Sequence, residues 1–166
     1  MAKEPEQKAS AEAEQPLAVV ASELDERTHA EMLMMYHECA DSVRFAKLQQ
    51  WHTTGGALLI FVVLGILGTF GPRYGFFIKA NIIVSLVVSG GSIYSLAIYQ
   101  FWQQAERGKL AMISSRLSNL LREVRGFTPP REANIHRYIL LFFMIATIAL
   151  GNWLLILYLA PYMRYA

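Results

Sequence analysis

Residues 138–160 read YILLFFMIATIALGNWLLILYLA and carry no charged side chain. An α-helix rises about 1.5 Å per residue, and a bilayer's hydrocarbon core is about 30 Å thick. The stretch is long enough to cross a membrane as a single helix. Residues 80–99, ANIIVSLVVSGGSIYSLAIY, are also free of charge, and so are residues 53–70. The last run is slightly short, but Trp51 and His52 extend it into the headgroup region. Buried helices of a soluble bundle rarely string together three charge-free runs of this length. Aromatic residues gather near the ends of the runs: Trp51, Tyr74, Phe101, Trp102, Tyr138, Tyr158, Tyr162 and Tyr165. Such residues favour the boundary between lipid and water.

The whole chain agrees with this reading. Of its 166 residues, 54% are hydrophobic and 17% charged, against about 25% charged in a typical soluble domain. The charges crowd into the segments outside the three runs. The N-terminal fifty residues are acidic on balance, whereas residues 100–137 are strongly basic, with Arg107, Lys109, Arg116, Arg122, Arg125, Arg131 and Arg137. Basic segments stay on the cytoplasmic side. This predicts a cytoplasmic N-terminus, an external loop at 71–79 and an external C-terminus in the inner membrane. The same basic stretch raises nucleic acid as a partner. Contact with anionic lipid explains it more simply, so the expected partner is the bilayer and no nucleic acid. Residues 1–21 are polar and lack the apolar core of a cleavable signal, and they read as a disordered tail.

Two of the helices are expected to continue past the membrane. Ser22 resembles a helix cap, with Glu23 and Asp25 in the following turn. Met32, Tyr36, Cys39, Val43 and Ala46 then recur at helical spacing as one apolar face. After residue 99, Leu110, Ile113, Leu117, Leu120 and Val124 follow the spacing of a coiled-coil seam. Pro129 and Pro130 are expected to end that helix. The fold class is therefore all-α: an integral membrane protein with three transmembrane helices, two of them extended into a cytoplasmic antiparallel helical hairpin. The hairpin occupies 22–126, with spans at 53–70 and 80–99. A Pro-containing linker covers 127–137, the third span 138–160, and a short external tail 161–166.

Chemistry-bearing residues are few. Asn81, Ser85, Ser89, Ser92, Ser95 and Tyr99 fall within about 120° of arc on the second span at 100° per residue. A polar stripe in a membrane helix faces protein or water. It either packs against a neighbouring helix or lines a pore, and packing is the more common use of serine there. Gly65, Gly68, Gly90, Gly91 and Gly151 predict close helix crossings, and Asn152 is expected to bond another helix. His52 and His136 both lie at the membrane boundary, which raises a haem between them. No ligand-spacing motif accompanies the pair, so they read as interfacial histidines and no cofactor is expected. Cys39 is the single cysteine, which leaves neither a disulfide nor a thiolate metal cluster to form. No GxSxG, HExxH, Walker or CxxC pattern occurs. No catalytic residue is assigned, and the chain is expected not to be an enzyme.

The layout of residues 31–125 resembles the SLATT family of small bacterial membrane proteins. Tyr36 and the run 40–51 precede the first span, and the helix 100–125 follows the second. The resemblance implies a two-span hairpin flanked by cytoplasmic helices, in a membrane effector of anti-phage systems that opens a pore on sensing a nucleotide signal. The third span departs from that pattern. Two functions are weighed. One is a self-assembling membrane protein, pore-forming or effector-like, built as a homo-oligomer. The other is an accessory or scaffold subunit bound to partner subunits of a larger membrane complex of respiratory or photosynthetic type. A haem-bearing anchor ranks below both. A reporter active only in the cytoplasm should be active when fused after Arg125 and silent at the C-terminus. The opposite pattern would invert the orientation.

Overall fold

A computed structural model describes residues 24–71, 75–117 and 130–163, without side-chain detail for 130–134 and 163. Among these residues the backbone is helical except at Leu24, Asp25, Gly71 and Leu117. Helix α1 spans Glu26–Phe70, α2 spans Gly75–Arg116 and α3 spans Pro130–Leu159. A 3₁₀ turn at Ala160–Met163 closes the described chain. All three helices are long and apolar enough to cross a membrane.

Local chemistry explains the ends. Asp25 caps α1, its carboxylate accepting from the Thr28 backbone N–H at 3.2 Å. Ser22, expected as the cap, lies outside the described residues. Asp25 is a capping residue type too, and the first helical position behind it is the acidic Glu26, which complements the positive end of the helix dipole. At the other end Gly71 is extended, with φ −77° and ψ 179°, and its N–H donates to the Leu67 carbonyl at 2.8 Å. Proline follows at position 72, and the residue before a proline is driven out of the helical region.

Helix α3 begins earlier than expected. It starts at Pro130, inside the segment assigned to a linker. A proline at the first helical position loses no hydrogen bond, because that N–H has no intrahelical partner. At the far end Pro161 has no N–H to donate, and the chain tightens to 3₁₀ there. Helix α2 ends at Arg116. Leu120 and Val124 lie outside the described residues, as do residues 1–23 and 164–166.

At 45 and 42 residues, α1 and α2 are about 68 and 63 Å long at 1.5 Å per residue. Each is roughly twice the thickness of a hydrocarbon core. Each keeps one buried stripe, over residues 39–68 on α1 and 78–114 on α2. On α1 it runs Cys39, Ala46, Gln50, Thr54, Ala57, Phe61, Leu64 and Gly68. These steps are all sums of threes and fours, so the stripe passes from the charged half of the helix into the charge-free half without losing phase.

Two clusters make the core. Ala57, Phe61, Leu64, Ile78, Leu96, Met144, Ile148, Leu155 and Leu159 draw on all three helices. Farther along, Cys39, Leu110 and Ile113 are buried together, with Met32, Tyr36, Ala40, Val43 and Leu117 packed against them. Around the first cluster the outward residues are large and apolar, including Leu59, Val62, Ile83, Val87, Phe142 and Leu154. The buried face of α2 is the more polar one, with Asn81, Ser85 and Ser89. Apolar residues outward and small polar ones inward is the arrangement consistent with lipid as the surrounding solvent.

Helix α3 rests on α1 through glycine. A Cβ built on Gly151 would lie 3.1 Å from both Leu58 Cδ2 and Phe61 Cδ2, and one on Gly68 would collide with Leu159. Nothing lies near the corresponding position on Gly108. Gly151→Leu is expected to lower the thermal stability of the detergent-solubilised protein by about 1–3 kcal/mol through overpacking. Gly108→Ala should be neutral or stabilising by up to about 1 kcal/mol, from helix propensity alone. Helical circular dichroism on heating compares them, and equal melts would show that the glycine contact does not hold α3 in place.

Candidate functional site

The polar residues of α1 and α2 meet along a single line, where three zones follow one another. In the first, on α2, Asn81, Ser85 and Ser89 are buried. Ser85 Oγ donates to the Ile82 carbonyl at 2.8 Å and Ser89 Oγ to the Ser85 carbonyl at 2.8 Å. Ser95 donates in the same way to Gly91 at 2.9 Å. These hydroxyls return their protons to their own helix, which lets a small side chain sit in a close contact without an orphan donor. Ser92, Ser95 and Tyr99 are only half-buried, because beyond Ser89 the buried line continues through Leu96 and Gln100. Asn81 Nδ2 and, on α3, Asn152 Oδ1 are buried with no hydrogen-bond partner among the described residues.

The second zone was not marked in the sequence. Gln50, Gln100 and Gln103 are buried where the charge-free runs end. Gln103 Nε2 donates to Gln50 Oε1 at 2.9 Å. Gln50 Nε2 in turn makes longer contacts, 3.4 Å each, to the Leu96 carbonyl and to Gln100 Oε1. Thr54 Oγ1 donates to the Gln50 carbonyl at 2.9 Å, one turn deeper. A carboxamide both donates and accepts, so Gln50 links Gln103 to Gln100 in a neutral chain. The signal was present: the face Met32, Tyr36, Cys39, Val43 and Ala46, extended by one more turn, lands on Gln50. The seam residue Leu110, followed back by seven, lands on Gln103.

The third zone is charged. Glu106 is buried, and its Oε1 accepts from Lys109 Nζ at 2.7 Å. Lys109, and then the thiol of Cys39, hold the Glu106 carboxyl below its ordinary range by hydrogen bonding to the ionised form; Trp102 adds to the effect. Burial raises the Cys39 thiol, and the neighbouring Glu106 raises it further. Cys39 is therefore a protonated donor at neutral pH, seated in the cluster with Leu110 and Ile113. The Arg44–Asp41 pair, by contrast, is exposed on both sides and belongs to solvent.

Helix α3 is bonded to the other two near both ends of its charge-free run. The Tyr158 hydroxyl lies 2.8 Å from Thr69 Oγ1. Thr69 already gives its one proton to the Gly65 carbonyl, so Tyr158 is the donor. Tyr138 donates to Gln104 Oε1 at 3.2 Å. His52 and His136 are both exposed. Among the described residues no group of three His, Cys, Asp or Glu side chains is placed to hold a metal ion. Comparison with known proteins finds no match to a family model, a curated protein or a solved structure.

The Glu106 cluster gives the outer pairing of α1 and α2 a defined response to acid. Its carboxyl is depressed below the ordinary value of 4.5. The stabilisation is thus complete above that value and is lost as the pH falls through the lower folded value. Wild-type melting temperature should drop more steeply than that of Glu106→Gln between about pH 6 and pH 3. Parallel curves would show that Glu106 contributes nothing to the pairing.

Proposed function

We propose that the chain is a non-enzymatic, multi-pass inner-membrane protein that self-assembles through the outer faces of its first two helices. In this reading the N-terminus is cytoplasmic and the C-terminus external. Helices α1 and α2 form an antiparallel hairpin whose outer halves stand in the cytoplasm. The pairing of Cys39 with Leu110 and Ile113, and of Gln50 with Gln100 and Gln103, supports the antiparallel sense.

One observation carries the proposal of assembly. Within the charge-free runs the glycines divide into two sets. Gly65, Gly68 and Gly151 are filled by leucine and phenylalanine side chains of the same chain. Gly55, Gly56, Gly90 and Gly91 are open, with nothing within 4 Å of a built Cβ. A glycine costs a helix about 1 kcal/mol relative to alanine. Two adjacent pairs facing lipid would incur that cost without return. Facing another helix, they permit the close backbone approach that drives association in membranes. Any pore in such an assembly lies between copies, because Asn81, Ser85 and Ser89 are already covered inside one chain. The effector role implied by the likeness to the SLATT family belongs to this proposal.

The accessory-subunit reading has its own support. The outer half of α1 exposes Met34, Phe45 and Leu48, apolar surface suited to a partner. Light scattering in mild detergent separates the two. The wild type is expected to elute at a multiple of the chain mass with no second protein, and Gly90→Leu with Gly91→Leu should shift it to a single chain. A monomeric wild type, or a stoichiometric partner retained by the double variant, would favour the accessory subunit.

A further inference from the structure

One side of the α1–α2 pair is marked by residues that stand level with each other. Phe45 on α1 and Trp102 on α2 meet edge to face, with ring centroids 6.2 Å apart. Seven residues farther from the charge-free runs are Glu38 and Lys109. Seven residues turn a helix twice, less about 20°, so both stay on the side of the two rings. They also sense each other: the Lys109 ammonium is held above its ordinary range first by its hydrogen bond to Glu106, and Glu38 adds to the effect. Eleven residues in the other direction along each helix are Gly56 and Gly91. Eleven residues make three turns and about 20°, so the two glycines return to the same side and are again level. Nothing lies within 4 Å of a Cβ built on either. Helix α3 packs elsewhere. Gly65, which Leu155 of α3 touches, is nine residues from Gly56 and thus about half a turn away. We infer that this side is the surface on which a second copy of the chain docks, about a two-fold axis running along the helices.

The surface complements itself. Copies inserted in one membrane share an orientation, so the axis of a closed pair lies along the membrane normal, and residues meet at their own level. That axis sets α1 of each copy against α2 of the other. Each level then brings matching chemistry. Glu38 meets the other copy's Lys109, and opposite charges attract. Lys109 gives one N–H to Glu106 and has three, so a second acid can be accommodated. Seven residues farther again stand Glu31 and Arg116, both exposed, acid against base once more. Phe45 and Trp102 are partly exposed and meet as aromatic surface, which is enriched where proteins associate. Gly56 meets Gly91, and two glycines let helix backbones approach closely inside the bilayer. Gly55 and Gly90 are equally open, but they lie 100° to the side of their neighbours. One glycine of each adjacent pair therefore belongs to this surface. The inference rests on the self-assembly proposed above and assigns it a face and a symmetry.

The test reads mass and cross-links in the full chain. Light scattering in mild detergent is expected to give a particle of two chains. Gly56→Leu and Gly91→Leu should each halve its mass, whereas Gly55→Leu and Gly90→Leu should leave it unchanged. Helical circular dichroism verifies that each variant is folded. For cross-linking, Cys39→Ser removes the native thiol, and two differently tagged copies are expressed together, one with Gly56→Cys and the other with Gly91→Cys. Oxidation of isolated membranes should join the two tags, because Cβ atoms about 3.5–4.5 Å apart form a disulfide. The control pair is Val62→Cys with Leu86→Cys. Both positions are exposed and turned at least about 120° from the two glycines, and this pair should stay separate. A wild type of single chains would overturn the inference together with the assembly proposed above. A particle of several chains that tolerates Gly56→Leu, or that joins the control pair and not the glycine pair, would overturn the inference alone, leaving self-assembly through another side.

Discussion

Two helices that share one contact line through an apolar medium must satisfy every polar atom on that line from within, since the surroundings offer no water to do it. The rest of the structure follows from how α1 and α2 meet this constraint. Where the chain is charge-free, the polar residues on the α2 side are serines that bond their own backbone and Asn81, whose Nδ2 alone among these three residues has no partner among the described residues. Where the apolar run ends, Gln50 on α1 bonds both Gln100 and Gln103 on α2. Beyond that, a carboxylate appears only with a lysine and a thiol beside it. Polarity thus rises in steps along the contact, from hydroxyl to amide to ion pair, in the order in which each becomes tolerable as water approaches. Helix α3 carries no such gradient over its charge-free length. It packs on α1 through glycine and leucine and is bonded near its two ends.

Much of this was legible in the sequence, for a simple reason. Charge is excluded from hydrocarbon at a cost of several kcal/mol per group, so charge-free runs mark the apolar lengths with little help from packing. The α1 face of Met32, Tyr36, Cys39 and Val43 was legible too, because apolar residues that recur at helical spacing among polar ones mark the side of a helix that is buried. Gln50, Gln100 and Gln103 were harder to see. A glutamine at the end of a membrane helix is ordinary as a solvated residue, and only its phase relative to the apolar face distinguishes the buried ones from the exposed Gln104 beside them. Glu106 was hidden for a similar reason: one acid within a basic stretch reads as part of a charge balance, and its burial depends on Cys39 across the contact.

The remaining differences concern ends. Ser22 and Asp25 are both capping types, and nothing local decides between them. Pro130 misled in a different way. Proline stops a helix that reaches it and starts one that follows it, so the same residue signals a boundary without saying on which side the helix lies. The polar stripe was legible as a set, but Ser92, Ser95 and Tyr99 fall to its flank. Six residues within a third of a turn define a face, whereas a contact line between two helices is one residue wide, and the choice of Leu96 over its serine neighbours is made by the partner helix.

The two tyrosine bonds at the ends of α3 have a mechanical consequence. Tyr138 and Tyr158 are about 30 Å apart along the helix at 1.5 Å per residue, which is the thickness of a hydrocarbon core. A lone membrane helix adapts to a thicker or thinner bilayer by tilting. Helix α3 is bonded to α2 at one end of its charge-free run and to α1 at the other, so tilting it alone would break both bonds. Adaptation to bilayer thickness is therefore collective. In the membrane placement proposed above, any inclination imposed on the apolar lengths is carried by α1 and α2 into their outer halves as a sideways displacement that grows along the helices.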